Sequence, residues 1–315
     1  MADQVRRRLG PEMLSYAIEP FVAGIYAGNP EKLSARYAFP KLWNLEQQHG
    51  SFLRGALRLR RTGPPQRMIS VRDGMGTMPE RWAQKLGGNL HCGVGVEKIS
   101  RERDAWQVQW SGGGESHTVT APKLIATAPA FAVPDLPWPG ELRTSLNFLH
   151  EIPYPPVSVV ALGFHRSQVR HPLDGFGLLV PAAEQRQILG TIFSSSLFPG
   201  RAPRDHVLLT TFVGGARQPR LAETGEDALV HDVCLDLESL LGVTGDPVFR
   251  RIIRWPRAIP QYNLGYGHLL RQMEDLEKAW PGLHFAGNYR GGIAAGQCIH
   301  NGLRLAEMIT SPNPS

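Results

Sequence analysis

The strongest constraint on the fold lies near the C-terminus, in the stretch Leu283–Leu303, LHFAGNYRGGIAAGQCIHNGL. An apolar run leads there into four closely spaced glycines: Gly287, Gly291, Gly292 and Gly296. Small and apolar residues then recur at helical spacing, which predicts a strand that passes through a glycine turn into a helix. Such a turn brings bare backbone N–H groups and the positive end of a helix dipole together, and this suits a phosphate or another electron-rich group. From the glycines alone, an ordinary glycine-rich turn is an equally good interpretation.

The composition is that of a soluble globular protein. The 315 residues are 42% apolar and 20% charged, and the chain is long enough for two domains. The net charge of +6 suits an anionic lipid, a polycarboxylate ligand or nucleic acid. Because the sequence has no zinc-finger spacing and no basic leucine zipper, we expect no nucleic-acid partner.

Three cysteines and the chain's apolar runs bear on the compartment. Cys92, Cys234 and Cys298 lie far apart, which predicts neither a metal site nor a disulfide framework and favours a reducing cytoplasm. No apolar run approaches the roughly 20 residues that a transmembrane helix needs. The basic N-terminus lacks the apolar core of a signal peptide, so we expect no export.

The first part of the chain has the pattern of helices. Apolar residues from Met13 to Ile25 recur four apart, which predicts an amphipathic helix kinked at Pro20 and ended at Gly28-Asn29-Pro30. A second helix is predicted at 41–48 and ends near Gly50.

A third predicted helix, FLRGALRLRR, carries a basic face. Ser51 can cap it, and Arg54, Arg58 and Arg61 share one side. A basic amphipathic helix can lie on a membrane surface, although such a face is often simply solvated, and both interpretations stay open.

From about Leu90 the apolar period changes to two, which indicates strands. The alternation predicts a small meander with strands at 90–96, 106–110 and 119–128. Apolar runs predict a second sheet from strands at 157–164, 188–193 and 207–213. A helix is predicted at 227–241, and the prolines of 134–139 indicate a linker. Together these elements predict an α+β fold, or an α/β fold with antiparallel additions.

Eight separated motifs resemble one family. They are RRRLGPE at Arg6–Glu12, GIYAGNPEKLS at Gly24–Ser34, FPKLWNLEQQHGS at Phe39–Ser51, IATAPA at Ile125–Ala130, GFGLLVP at Gly175–Pro181, FVGGA at Phe212–Ala216, AIPQYNLGYGH at Ala258–His268 and the glycine motif at Gly287–Gly302. In this order they resemble the flavin-dependent protoporphyrinogen or coproporphyrinogen oxidases of haem biosynthesis, within the amine-oxidase group of flavoproteins. The likeness runs from about Val5 to Ile309.

The resemblance implies an enzyme that removes hydrogens from a porphyrinogen, with FAD as hydride acceptor and oxygen as reoxidant. It implies a helical, membrane-associated part at 1–65, FAD-domain strands at 66–130, a mixed-sheet substrate domain at 131–270 and a C-terminal FAD-binding unit at 271–315. It places the protein in the cytoplasm, with peripheral contact to the inner face of the cell membrane, and leaves a homodimer open. No catalytic acid or base is predicted, because the flavin performs the difficult step.

The resemblance also implies site residues. The predicted flavin contacts are Val96, Ala126, Thr127, Gly287, Gly292, Ile293, Ala294 and Ala295. The predicted lining of the tetrapyrrole pocket is Phe176, Gly177, Leu179 and Phe212, for which plain core packing is the alternative. Some relatives have Gly-His-Trp after the PQY segment, whereas this chain has Gly265-Tyr266-Gly267-His268, so an aromatic flavin contact there is open to Tyr266.

The dinucleotide-binding turn of such flavoproteins, G-x-G-x-x-G between a strand and a helix, has no counterpart in these 315 residues. The nearest string, Gly93-Val94-Gly95, lacks the third glycine. We therefore expect an α/β FAD domain without its first βαβ unit, and weak or no FAD binding by this polypeptide alone. Either the chain is part of a longer gene product or a second chain supplies the unit.

Two other functions stay open. The chain can be another amine-oxidase-type flavoprotein, such as a carotenoid desaturase, or a porphyrin-binding protein without catalysis. A hydrolase is not favoured, because Ser194-Ser195-Ser196 lacks the G-x-S-x-G context of a nucleophilic serine.

Overall fold

The computed structural model describes residues 1–50 and 69–311. The α-helices are α1 Ala2–Leu9, α2 Pro11–Met13, α3 Glu19–Tyr26, α4 Ala35–Ala38, α5 Pro40–His49, α6 Thr77–Leu86, α7 Gly140–Ser145, α8 Ser194–Leu197, α9 Glu226–Leu241, α10 Tyr266–Ala279 and α11 Ala295–Thr310. The strands are β1 Gly95–Glu102, β2 Ala105–Gly112, β3 Glu115–Ala121, β4 Leu124–Ala126, β5 Val157–His165, β6 Gly177–Leu179, β7 Ile188–Phe193, β8 His206–Gly214, β9 Phe249–Trp255 and β10 Leu283–Phe285.

The chain divides into two compact units, each assembled from two separated segments. The first unit consists of Met1–Leu33 and Tyr154–Gln261. The second consists of Ser34–Pro153 and Tyr262–Ser315.

The first unit is built on a five-stranded antiparallel sheet in the order β6-β7-β8-β5-β9. One face of this sheet packs against α9, with Val160, Leu162 and Phe164 of β5 in the same core cluster as Val233 and Leu237 of the helix. All five are fully buried, and each such side chain contributes about 1.5–3 kcal/mol through apolar burial.

The helical pattern at 13–25 is divided by a π-helical segment, Leu14–Ile18. Leu14 and Ile18 pack with Val5 of α1. Ala23 and Ala27 pack instead against the five-stranded sheet, at Val157 and Leu189. Pro20 lies in the first turn of α3, where its missing N–H costs little, so the proline begins a new helical segment.

The second unit holds the predicted meander, an antiparallel sheet in the order β1-β2-β3. The strand predicted at 90–96 is displaced, because β1 begins at Gly95 and the alternation before it belongs to a loop. The run predicted as one strand at 119–128 is interrupted after Ala121, where Pro122 lacks the N–H that a ladder needs. Its second half forms β4, which pairs in parallel with β10.

The predicted helices at 41–48 and 227–241 and after the glycine motif correspond to α5, α9 and α11. Ser51 and the basic face of Arg54, Arg58 and Arg61 lie outside the described residues. Within the described ranges, no helix combines the length and the apolar character that crossing a membrane requires.

Candidate functional site

The glycine motif forms a loop between β10 and α11 in the second unit, and we call Gly287–Gly292 the glycine loop. Gly291 and Gly292 have φ angles of 83° and 133°, which side chains of L-residues rarely adopt. A Cβ on Gly291 would come within 2.5 Å of the Asn301 amide, and one on Gly292 would collide with the side chain of Gln297. The glycines are therefore required by the path of the loop itself.

Two buried tyrosines hold the glycine loop from behind. The hydroxyl of Tyr262 donates to the carbonyl of Asn288 at 2.5 Å and accepts the N–H of Gly292 at 3.0 Å. Tyr266 stacks on Tyr262, with ring centroids 4.4 Å apart, and its hydroxyl donates to the carbonyl of Tyr289. Tyr266, for which the sequence left a flavin contact open, thus bonds to the backbone of the loop.

An ion pair fixes the entrance to the loop. Two nitrogens of Arg290 bond to the two carboxylate oxygens of Glu277, at 2.5 Å and 2.9 Å. The same groups take up the backbone of Phe285, since Glu277 accepts its N–H and Arg290 donates to its carbonyl. Burial opposes the charge of Arg290, but the hydrogen bond and charge of Glu277 outweigh it and raise the pKa of Arg290 above its ordinary value.

His284 lies beside this pair. Its Nε2 is buried and has no hydrogen-bond partner among the described residues. Burial lowers the pKa of His284 against the opposing charge of Glu277, and Lys123 and Arg290 lower it further. These effects together favour the neutral imidazole over the charged form.

The start of α11 offers free N–H donors. The N–H of Ala294 bonds to Oε1 of Gln297 at 3.1 Å. The N–H groups of Ile293, Ala295 and Gly296 bond to no acceptor in the part of the chain that the structure describes. Of the three amides predicted to meet a flavin, those of Ile293 and Ala295 are thus available and that of Ala294 is already paired.

The other predicted flavin contacts divide into two groups. Ala126 ends β4, and its carbonyl accepts the N–H of Ala286 at 3.0 Å, directly before the glycine loop. Thr127 follows and is exposed. The carboxyl ends of two parallel strands therefore meet at the loop, which is the usual position of ligands in such sheets. Val96 belongs to the separate meander, where it pairs with Trp110.

The first unit contains an apolar cavity of about 470 Å³, which we call the slot. All four residues predicted for the tetrapyrrole pocket line it: Phe176, Gly177, Leu179 and Phe212. Phe176 is 51% exposed and Leu179 is 46% exposed, so packing in a closed core does not account for these two side chains.

Sequence reasoning missed the opposite wall of the slot, which is formed by Phe21, Gly24 and Ile25 of α3. The spacing of Phe21 and Ile25, four apart on one helix face, was the available signal. Gly24 matters because a Cβ there would collide with the side chain of Leu179. The two walls therefore approach each other closely.

Comparison with known proteins places the chain in a family. Residues 1–310 match the family of flavin containing amine oxidoreductases. The chain is 35% identical to protoporphyrinogen oxidase 2, chloroplastic/mitochondrial, of Arabidopsis thaliana, over 99% of this chain and 66% of that protein. It is 27% identical to coproporphyrinogen III oxidase of Bacillus subtilis, over 96% of this chain and 65% of the other. The chain belongs to the flavin containing amine oxidoreductase family.

A solved structure agrees with this assignment. A crystal structure from Exiguobacterium sp. 255-15, provisionally named a protoporphyrinogen oxidase, matches with a TM-score of 0.80 and 26% identity, over 98% of this chain and 66% of that one. The chain thus spans about two thirds of the length of its relatives. The resemblance found in the motifs, the mixed α/β fold and FAD as the family's cofactor are confirmed. The roles of single residues and the four domain boundaries stay predictions.

Proposed function

We propose that this protein dehydrogenates a porphyrinogen to a porphyrin in haem biosynthesis, with FAD as cofactor and oxygen as final acceptor. The observation that carries the proposal is that four residues separated in sequence, Phe176, Gly177, Leu179 and Phe212, line a single apolar slot. An apolar, aromatic-lined slot suits a flat macrocycle. Relatives named for the oxidation of protoporphyrinogen and coproporphyrinogen add support.

We assign the cofactor role to the unit that carries the glycine loop and the substrate role to the unit that carries the slot. The glycine loop suits an electron-rich group in two respects. It has no Cβ at Gly291 and Gly292, and it leads directly to the unpaired N–H groups of Ile293 and Ala295 at the start of α11. Bound FAD supplies the hydride acceptor. The residues of this chain hold the loop rigid and orient the substrate in an apolar environment, and no catalytic acid or base is assigned.

Turnover measurements test the proposal. The 315-residue chain and the complete reading frame that encodes it are each assayed with FAD, using protoporphyrinogen, coproporphyrinogen and a polyene as substrates. We expect the complete reading frame to raise porphyrin fluorescence with at least one porphyrinogen in a flavin-dependent reaction, and the 315-residue chain alone, which lacks the G-x-G-x-x-G turn, to show little or no turnover. Turnover of the polyene alone would refute the proposal in favour of a carotenoid desaturase. Tight porphyrin binding without flavin-dependent turnover would refute it in favour of a non-catalytic porphyrin-binding protein.

We also propose a cytoplasmic protein with peripheral contact to an anionic membrane, through the arginines at 54, 58 and 61, and leave the choice between monomer and homodimer to measurement. The net charge of +6 favours the membrane contact. Sedimentation with vesicles that contain anionic lipid, compared with vesicles of neutral lipid alone, tests the contact, and light scattering after gel filtration tests the dimer. Equal recovery with both vesicle types would contradict the membrane contact. The measured mass decides between a monomer and a homodimer.

A further inference from the structure

A nearly buried ion pair lies beside the slot. Arg217 and Glu19 are 2.7 Å apart, and their side chains are 13% and 16% exposed. In the same unit, Arg250 and Asp227 also lie 2.7 Å apart, but their side chains are 60% and 89% exposed. Taking two charges out of water is costly, and a nearly buried pair is therefore weak evidence for stability. Arg217 Nε is in addition buried without a partner among the described residues.

The pair connects the two walls of the slot. Both terminal nitrogens of Arg217 donate to the carbonyl of Val180, each at 3.0 Å. Oε2 of Glu19 accepts the N–H of Ala182 at 2.9 Å. Glu19 stands in the first turn of α3, and Val180 directly follows β6. The contacts therefore tie the beginning of α3 to the end of β6.

These attachment points lie close to the residues that face the slot. Phe21 is two positions after Glu19 on α3, and Leu179 is the residue before Val180. Because a Cβ on Gly24 would strike the side chain of Leu179, the spacing of α3 and β6 is narrow at this point. A small change in that spacing changes the width of the slot.

We infer that Glu19 and Arg217 are positioning residues that set the width of the slot and hence which tetrapyrroles it admits. The inference rests on the proposed function, since it concerns the same substrate site. The planar guanidinium suits this task because its two nitrogens bond to Glu19 and Val180 in one fixed geometry, which an apolar contact cannot impose.

Glu19→Ala tests the inference, with Asp227→Ala as its matched control. Each carboxylate lies in the first turn of a helix and bonds to an arginine of the same unit, but Asp227 does not line the slot. Protoporphyrin binding is measured by fluorescence titration well below the melting temperature. We expect Glu19→Ala to weaken binding about tenfold, because the nearly buried charge of Arg217 is then left without its carboxylate and displaces the wall. Asp227→Ala should stay within about twofold of wild type, as exposed pairs contribute little.

Arg217→Lys keeps the positive charge but loses the two-nitrogen guanidinium that bonds to both Glu19 and Val180, so this variant remains informative if Glu19→Ala does not fold. We expect its ratio of affinities for protoporphyrin and coproporphyrin to change about threefold or more, whereas a purely structural role predicts a lower melting temperature with an unchanged ratio. Binding and ratio within about twofold of wild type in both folded variants would overturn the inference.

Hydrogen exchange separates this inference from the proposed function. Amides of residues 176–182 should exchange faster in Glu19→Ala and Arg217→Lys than in Asp227→Ala, with or without ligand. If wild type binds no porphyrin, the proposed function fails, and the exchange data still decide the positioning role. Unchanged exchange at 176–182 in the variants would overturn that role.

Discussion

Removing one hydroxyl, in Tyr262→Phe, should destabilise the second unit strongly. The residue is 2% exposed, and its hydroxyl donates to the carbonyl of Asn288 and accepts the N–H of Gly292. Phenylalanine fills nearly the same volume, so the packing against Tyr266 is retained while the hydrogen bonds to Asn288 and Gly292 are lost. The variant therefore measures the hydrogen bonds without a cavity.

The magnitude follows from the burial of the two groups that lose their partner. Gly292 is buried and Asn288 is partly buried. A buried polar group without a partner costs about 1–3 kcal/mol, so we expect a loss of about 3 kcal/mol in the free energy of unfolding for the two together. For a domain of 150–250 residues this corresponds to a fall of roughly 6–12 °C in melting temperature.

Denaturant unfolding and scanning calorimetry on wild type, Tyr262→Phe and Tyr16→Phe measure the effect. Tyr16 is 59% exposed, so the same chemical change there should alter the free energy by less than about 0.5 kcal/mol. Hydrogen exchange should also accelerate at Gly292 in Tyr262→Phe alone. A Tyr262→Phe protein as stable as the control would show that the hydroxyl does not hold the loop.

Three further variants test other parts of the chain. Gly24→Ala replaces a glycine inside a helix, so the melting temperature should stay unchanged or rise by the equivalent of about 1 kcal/mol. The new Cβ pushes Leu179 into the slot, so protoporphyrin binding should weaken about tenfold in a fluorescence titration. Gly292→Ala, at a φ of 133°, should cost about 1–3 kcal/mol in denaturant unfolding, whereas Gly296→Ala meets open space and should cost nothing. Burial lowers the pKa of His284 in the folded chain, so the unfolded chain binds a proton first as the pH falls below about 6.5. Proton binding then favours the unfolded chain, and wild type should lose more stability between pH 7 and pH 5 than His284→Gln does in parallel thermal melts.

Alternation and burial made several elements predictable. The predicted runs at 157–164, 188–193 and 207–213 lie within β5, β7 and β8, because these strands face a core on at least one side. The edge strand β9 was missed, since its sequence FRRIIRW is mostly exposed and rich in arginine. Helix α10 was missed because Gly265 and Gly267 flank its beginning and indicate a turn.

Contacts between distant residues were not predictable from one sequence. Glu19 and Arg217 are 198 positions apart, and neither residue stands in a recognisable pattern. The slot lining came from the family resemblance, and its second wall on α3 was read only as an amphipathic helix face. The tyrosines behind the glycine loop belong to a motif that was recognised, but only coordinates reveal where their hydroxyls point.

The π-helical segment Leu14–Ile18 adds one residue to a helical turn and so changes which side chains of the following helix face the same direction. Within it the N–H of Glu19 bonds to the carbonyl of Leu14, five positions back, where an α-helix would bond to the residue four back. An uninterrupted α-helix turns about 100° per residue. Deletion of a single residue in this segment would therefore rotate Phe21 and Ile25 away from their cavity by roughly a quarter of a turn. The orientation of that wall thus depends partly on one extra residue in a segment that does not itself line the cavity.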